Sequence, residues 1–237
     1  DLVQLLVLLL LLALMELLEC PAYKIASCDA VNPWVLDAVV ATGKPFMVST
    51  GMCTEGEVFR LVGYLNANGA AGRYALMHAV SAYPTAFADC QLHLIARYKH
   101  NHGCPVGWSG HERGAAVSVA AAAIGADVIE RHFTLDRTLP GPDQAASLEP
   151  DGVRKLVARV RAFEDAYGDP VADRRRPRGE YVSEEVMRKS LYLARDLDYG
   201  QRVEMADLTA TGTGRGIPPW FAVEAVGAGM VAAHALR

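Results

Sequence analysis

Five short apolar segments alternate with helical segments along residues 20–168, and this alternation constrains the fold more than any other feature of the sequence. Successive segments are separated by roughly 20 to 30 residues, a spacing typical of parallel β-α-β units. The predicted strands are 23–27, 46–49, 74–78, 105–108 and 127–132. This pattern predicts an α/β fold, either a barrel or a doubly wound sheet. No G-x-G-x-x-G motif follows a predicted strand, which disfavours a dinucleotide-binding sheet.

Composition excludes several classes of protein. Of the 237 residues 51% are hydrophobic and 21% are charged, so the chain can bury a core and is not disordered throughout. The net charge of -4 provides no overall basic field, and we expect no nucleic-acid partner. Five cysteines, an odd number without a C-x-x-C pair, support neither a disulfide framework nor a zinc finger. Reduced thiols in a cytoplasmic protein are the simplest interpretation.

Residues 1–19 form a leucine-rich segment whose status is open. Between Leu2 and Leu18 the polar residues are Gln4 and Glu16, and no basic residue precedes Lys24. A secretory signal needs a basic start and a small-residue cleavage site, and a membrane span needs about 20 apolar residues. We favour a helix buried in the protein over a membrane element, so we expect no membrane association. A chain start that is fragmentary or not natural is the third alternative.

The end of the chain differs in composition from the alternating region. Residues 169–185 are polar and charged and include Pro and Gly, which predicts a linker. Residues 186–237 contain short strand-like segments interrupted by glycines, which predicts a small second domain. The predicted organisation is therefore a leucine-rich segment (1–19), a catalytic domain (20–168), a linker and a small domain.

Reactive side chains follow all five predicted strands, at the rim where α/β barrels carry their active sites. Lys24 lies within an apolar strand, so it must reach solvent or pair with an anion, for which we expect a ligand carboxylate or phosphate. His111 and His132 follow neighbouring strands and could together hold a divalent metal ion. Each serine at these strand ends could also serve in a turn or a helix cap. The full set is Lys24, Ser27, Ser49, Thr50, Ser81, Tyr83, Ser109, His111 and His132.

A stiff loop follows the last of these strands. Two prolines flank Gly141 and fix the direction of Asp143. A single carboxylate on a rigid loop beside a metal suits hydroxyl recognition or proton transfer, although a simple turn acid is the alternative.

Six motifs occur together in a fixed order: YKIAS (23–27), STGM (49–52), SAYP (81–84), SGH (109–111), ERHFT (130–134) and PGPD (140–143). In this combination the chain resembles the sialic acid synthase family, the enzymes that condense phosphoenolpyruvate with an amino sugar. The resemblance implies a (β/α)8 TIM-type barrel, of which this chain has the last five βα units, followed by a small antifreeze-protein-like (SAF) domain that is shortened at its C-terminus. It also implies a domain-swapped homodimer in which that small domain caps the partner's barrel.

The resemblance also implies roles for individual residues. His111 and His132 would bind Mn²⁺, with Mg²⁺ or Co²⁺ as alternatives. Tyr83 and Asp143 would contact N-acetylmannosamine or a related sugar, and Lys24 would act in catalysis with them. Asp29 and Arg215 would also contact substrate. Phosphoenolpyruvate would be held by Lys24, Ser27, Ser49, Ser81 and Ser109.

The chain departs from the family pattern in four places. Asp29 replaces the usual Glu, Gly110 replaces the Asp of a Ser-Asp-His motif, and Arg215 is displaced within its glycine-rich segment. Three βα units that precede the Lys24 strand in the family, with a further lysine, are missing from this chain, so we expect no activity from these 237 residues alone. The implied function is synthesis of a sialic or related nonulosonic acid. The alternatives are a non-catalytic or truncated relative that binds carbohydrate or a partner, and another phosphoenolpyruvate-dependent barrel enzyme.

Overall fold

The computed structural model describes residues 2–212 and 214–232. Thr213 and residues 233–237, the predicted shortened end of the small domain, lie outside the described residues, as does Asp1. The chain divides into two units, residues 1–168 and 169–237.

The first unit is built on a five-stranded parallel sheet in the order β1-β2-β3-β4-β5. The strands are β1 (Tyr23–Ile25), β2 (Phe46–Ser49), β3 (Tyr74–Ala79), β4 (Val106–Gly110) and β5 (Ile129–Arg131). The helices are α1 (Leu2–Leu17), α2 (Pro33–Ala41), α3 (Glu55–Ala67), α4 (His93–His102), α5 (Ala116–Ala123) and α6 (Pro150–Tyr167). The predicted alternation is confirmed, with strand ends that differ by a few residues.

Each strand directs alternate side chains to the helices and to the interior of the curled sheet. Phe46 and Val48 of β2 lie beside Tyr74 and Leu76 of β3, and all four are buried in the core under the helices. Trp108 of β4 continues this layer. The residues that alternate with this layer along each strand, among them Lys24 of β1 and Ser49 of β2, therefore belong to the opposite, interior face.

Helix α3 begins where the sequence predicts. The Thr54 side chain accepts a hydrogen bond from Glu57 N, and the Glu57 carboxylate accepts one from Thr54 N, which completes a capping box.

Strands β1 and β5 are shorter than predicted. The chain leaves β1 after Ile25 and forms a 3-10 turn over Ser27–Asp29. Before β5, the Asp127 carboxylate binds Lys99 Nζ and the amide of Val106, both at 2.8 Å, so Asp127 anchors a neighbouring turn instead of extending the strand.

Helix α1 corrects the prediction of a buried leucine-rich helix. Leu12 and Met15 pack against the core, but Leu10 and Leu17 are 61% and 79% exposed. Glu16 near its end forms an ion pair with Lys44 (2.9 Å) and accepts a hydrogen bond from Tyr23. The helix therefore lies on the surface of the unit with one face packed. Among the described residues no helix is long and apolar enough to cross a membrane.

The second unit contains α7 (Arg178–Met187), an antiparallel pair β6 (Ser190–Leu193) and β7 (Leu208–Thr211), and α8 (Phe221–Gly227). Helix α7 begins inside the segment predicted as a linker, and exposed pairs such as Arg174–Glu180 (2.7 Å) accompany its first turn. The polar residues 169–185 therefore include both a connecting segment and the solvent-exposed start of helix α7.

Candidate active site

The sheet is curled, because a side chain of its first strand meets a side chain of its last. Four strand spacings separate β1 from β5, which is about 19 Å in a flat sheet and far beyond the reach of a lysine. Nevertheless Lys24 Nζ lies 3.1 Å from Glu130 Oε2. The interior face is therefore concave, and Lys24 reaches across it to Glu130. The sequence predicted a ligand anion as the partner of Lys24, whereas its partner in the structure is the carboxylate of Glu130.

Glu130 was not among the residues proposed from sequence. The signal was present, because Glu130 precedes His132 by two residues and must therefore share its face of the strand. The Lys24–Glu130 contact lacks hydrogen-bond geometry at Oε2, which has no other partner among the described residues. Glu130 Oε2 therefore has an ion-pair contact with Lys24 but no hydrogen bond among the described residues.

Two serines converge on the backbone of Gly51. The amide of Gly51 donates a hydrogen bond to Ser27 Oγ (3.1 Å). A Cβ atom at position 51 would lie 2.7 Å from Ser27 Oγ and closer still to Ser81 Oγ. Only glycine fits there without displacing a hydroxyl, so Ser27, Gly51 and Ser81 form a polar cradle, a name we keep below.

Two further serines lie on the interior face. Ser49 is 3% exposed, and its Oγ has no hydrogen-bond partner in the described part of the chain. Ser109 pairs in register with Ala79 on one side and with Glu130 on the other, so it lies between them on the same face. Serine hydroxyls, a lysine and a carboxylate thus line one concave surface.

The imidazoles of His111 and His132 lie side by side at the rim, with ring centroids 5.1 Å apart. His111 Nδ1 lies 2.7 Å from the carbonyl oxygen of Val80, so this nitrogen carries the proton and Nε2 keeps its lone pair. Burial lowers the pKa of His111, the bond to Val80 opposes that shift, and the neighbouring His132 adds to it. His111 is therefore neutral near pH 7, as a metal ligand must be.

Tyr83 and Asp143 complete the rim. The Tyr83 ring lies 4.2 Å from that of His111 and 5.6 Å from that of His132. Burial raises the pKa of Tyr83, and the charges of Asp143, Glu130 and Cys28 raise it further, so the phenol stays protonated and can donate. Asp143 Oδ2 lies 3.7 Å from His132 Nδ1.

The histidine pair fits a divalent ion with few protein ligands. The described residues contain no group of three or more His, Cys, Asp or Glu side chains that could hold a metal. The bond from His111 Nδ1 to Val80 O leaves Nε2 free for a metal ion, and the Asp143 carboxylate lies 3.7 Å from His132 Nδ1, near the position from which carboxylates orient metal-binding histidines. Such a site leaves most coordination positions open to water and substrate.

Two predicted site residues have contacts with residues outside this cluster. Asp29 accepts a hydrogen bond from Asn32 (2.9 Å) and lines a cavity of about 230 Å³ beside Lys24, between β1 and the helices α1 and α2. Arg215 belongs to the second unit, where it forms an exposed ion pair with Glu185 (3.2 Å). The structure brings the other predicted residues to one rim and its concave face, in the groups Lys24 with Glu130, Ser27 with Ser81, and His111 with His132, Tyr83 and Asp143.

Comparison with known proteins identifies related chains. The model of the NeuB family matches residues 10–172. The N,N'-diacetyllegionaminic acid synthase of Campylobacter jejuni is 34% identical over 196 residues, which cover 82% of this chain and 58% of that protein. The N-acetylneuraminate-9-phosphate synthase of Homo sapiens is 37% identical over 207 residues, covering 85% and 56% respectively.

A solved structure agrees with these relatives. The N-acetylneuraminic acid synthetase of Leptospira borgpetersenii superposes with a TM-score of 0.63 at 31% identity, covering 69% of this chain and 56% of that one. The chain thus spans little more than half the length of the relatives it matches.

Proposed function

Because the chain belongs to the NeuB family, we propose that it forms part of a synthase that joins phosphoenolpyruvate to N-acetylmannosamine or a related 2-acetamido sugar. The products are inorganic phosphate and a nine-carbon sialic or related nonulosonic acid. The observation that carries this proposal is the meeting of Lys24 and the serine hydroxyls with a pair of imidazoles on one concave surface.

Phosphoenolpyruvate suits the lysine and serine side of the surface. Lys24 supplies the positive charge, and it can leave Glu130 for a carboxylate or phosphate because their contact lacks a full hydrogen bond. Ser27 and Ser81 of the polar cradle and the unpaired hydroxyl of Ser49 supply neutral donors. Ser109 lies between Ala79 and Glu130, within the same surface.

The acceptor sugar suits the rim. His111 and His132 would hold a divalent ion, for which Mn²⁺ is our first choice and Mg²⁺ or Co²⁺ the alternatives; when bound, it would polarise the sugar's aldehyde carbonyl. Tyr83 offers a protonated hydroxyl and Asp143 an acceptor for the sugar's hydroxyl and amide groups. Asp29 would contact the sugar only through the cavity beside Lys24.

The proposed reaction has three steps: formation of a carbon–carbon bond, addition of water and loss of phosphate. Carbon 3 of phosphoenolpyruvate bonds to the aldehyde carbon, the carbonyl π bond breaks toward its oxygen, which takes up a proton to become a hydroxyl, and positive charge develops at carbon 2. Water adds at carbon 2, and the bond from carbon 2 to the phosphate oxygen then breaks. Lys24 and the serines neutralise and orient the phosphate and carboxylate through these steps. Glu130, released when Lys24 turns to the substrate, would accept one proton of the added water.

The complete enzyme needs more than the five strands described here. Five strands form an open, curled sheet, whereas a (β/α)8 barrel closes with eight. We propose that further strands complete the barrel, that residues 186–237 belong to a small SAF-type domain, and that this domain caps the barrel of a partner in a homodimer. Arg215 would then act in the partner's site. The unpaired cysteines of the described residues agree with a reducing, cytoplasmic location.

A non-catalytic relative that binds carbohydrate is the second candidate. Gly110 in place of an acidic residue and the pairing of Arg215 with Glu185 favour it. The neutral His111, the unpaired Ser49 hydroxyl and the Lys24–Glu130 pair favour the synthase, because a cation and a free hydroxyl suit an anionic substrate and a neutral imidazole suits a metal ion.

The deciding experiment is an assay of the full-length gene product with phosphoenolpyruvate, Mn²⁺ and a panel of acceptor sugars: N-acetylmannosamine, its 6-phosphate and diacetamido hexoses. We expect phosphate release with at least one acceptor. Failure with every acceptor would remove the synthase assignment. A protein that binds the sugars without releasing phosphate would support the second candidate.

A further inference from the structure

A buried carboxylate lies directly behind the rim. Glu112 is fully buried, two residues beyond the last residue of β4. Its Oε1 accepts hydrogen bonds from Arg131 Nη1 (2.8 Å) and Ser118 Oγ (2.9 Å). The Arg131 side chain is 4% exposed, so the two charges form an ion pair that solvent hardly reaches. A pair this deeply buried is strongly destabilised if one partner is removed.

Gly110 leaves the space that the Glu112 carboxylate occupies. A Cβ atom at position 110 would collide with Glu112 Oε2 and would lie 2.5 Å from Trp108 Nε1 and 3.1 Å from Arg131 Cδ. A side chain at position 110 and the side chain of Glu112 therefore point into the same pocket, beside the same arginine. The pocket has room for one carboxylate, supplied by one position or the other.

Arg131 connects the segments that carry the rim residues. It lies between Glu130 and His132 in sequence, and its side chain binds Glu112 and the carbonyl oxygen of Gly114, in the loop that follows β4 and carries His111. It also donates to Ala146 O (3.0 Å), in the turn whose amides bond back to Asp143 O. One guanidinium group thus joins β5, the end of β4 and the loop of Asp143.

We infer that Glu112 supplies the carboxylate that Gly110 lacks, and that through Arg131 it fixes the positions of His111, His132 and Asp143 relative to one another. Glu112 is a positioning residue, since it touches Arg131 and not the concave surface. An effect of Glu112 on turnover rests on the proposed function, whereas its effect on the positions of the rim residues does not.

The test exchanges the two positions in the full-length protein. Glu112→Gln, Glu112→Ser and Gly110→Asp are made singly, and Gly110→Asp is combined with Glu112→Ser. Loss of the buried charge and crowding of two carboxylates should each lower the melting temperature, on the order of 10 °C. The double variant should recover at least half of that loss. Glu55→Gln, which removes the same charge from an exposed pair with Arg97 (2.7 Å), is the matched control and should change little.

The second measurement reports on the rim without requiring activity. Imidazole resonances of the ¹⁵N-labelled protein are recorded without metal or substrate. Those of His111 and His132 should shift in Glu112→Gln and return toward the parent positions in the double variant, while His93 and His100 on α4 stay unchanged. If Glu112→Gln is too unstable for spectra, Glu112→Asp, which retains the charge one methylene shorter, takes its place and should give smaller shifts of the same two resonances.

The outcomes separate cleanly. The inference would be overturned if the decrease in melting temperature of the double variant equalled the sum of the two single decreases. It would also be overturned if the His111 and His132 resonances did not change in Glu112→Gln. Recovery of both measurements in a protein that releases no phosphate would leave the inference standing and would count against the proposed function alone.

Discussion

Lys24 Nζ lies 3.1 Å from Glu130 Oε2, although the two residues stand on the first and last strands of the five-stranded sheet. The contact reveals the curl of the sheet and brings a cation and an anion together on its concave face. Because each side chain is partly exposed, at 28% and 40%, water and small anions can reach the pair. Under the proposed function, a substrate phosphate or carboxylate would replace Glu130 as the partner of Lys24.

Replacing Lys24 should disable substrate binding more than folding. In Lys24→Met of the full-length protein we expect kcat/KM for phosphoenolpyruvate to fall by about 10- to 10²-fold, because a charged hydrogen bond to the anion is lost. Phosphate release at varied phosphoenolpyruvate measures it. Lys44→Met is the matched control, since Lys44 has an equally exposed side chain and pairs with Glu16 away from the rim. Equal losses in the two variants would contradict the role given to Lys24.

A methyl group in the polar cradle should block it. Gly51→Ala places a Cβ atom against Ser27 Oγ and Ser81 Oγ, so one hydroxyl must move. We expect KM for phosphoenolpyruvate to rise about tenfold or more, since a misplaced binding group costs at least one hydrogen bond.

Gly56→Ala provides the comparison for that variant. Position 56 lies in α3 with open space around its missing side chain, and alanine there should stabilise the helix by about 0.5–1 kcal/mol without affecting KM. A tenfold change in KM at Gly56, or none at Gly51, would refute the cradle.

The buried His78 should make stability depend on pH. Its Nε2 bonds to Cys90 O (2.9 Å) in the core, and burial lowers its pKa from the ordinary value of 6.5. The folded state therefore binds fewer protons than the unfolded state. The contribution of His78 is fully present above pH 6.5 and is lost as pH falls toward its lower pKa in the folded protein, with a slope of at most about 1.4 kcal/mol per pH unit.

Urea unfolding between pH 5 and 7.5 checks this dependence. His78→Gln keeps a donor for Cys90 but does not titrate, so its free energy of unfolding should vary less with pH over that range. The exposed His100→Gln should keep the dependence of the parent protein. An unchanged pH dependence in His78→Gln would show that other groups cause it.

The strands and the rim could be predicted because they depend on local pattern. Apolar alternation located β1 to β5, and Thr54 with Glu57 located the start of α3. Parallel strands end at one edge, so polar residues after each strand had to meet there. The partner of Lys24 could not be found this way, because the curl that brings β5 to β1 is a property of the whole sheet.

The errors have equally physical causes. The leucines of α1 predicted a buried helix. Burial depends on what packs against a helix, and only one face of α1 packs against the core. Arg131 and Glu112 were overlooked because they lie on the helix side of the strand ends and interact across two loops, which no local spacing records.

The histidine pair leads to the sharpest prediction about the metal. His111→Ala and His132→Ala each remove one of two ligands, so we expect Mn²⁺ affinity of the full-length protein to fall at least about 100-fold. Asp143→Asn leaves both imidazoles but removes the carboxylate 3.7 Å from His132 Nδ1, and about a tenfold loss should follow. His100→Ala on the exposed side of α4 should bind as the parent does. Titration with Mn²⁺ alone, followed by electron paramagnetic resonance, distinguishes these cases. Parent-like affinity in either rim variant would mean that the imidazoles pack against Tyr83 without holding a metal, and the acceptor sugar would then have to be activated by protein groups alone.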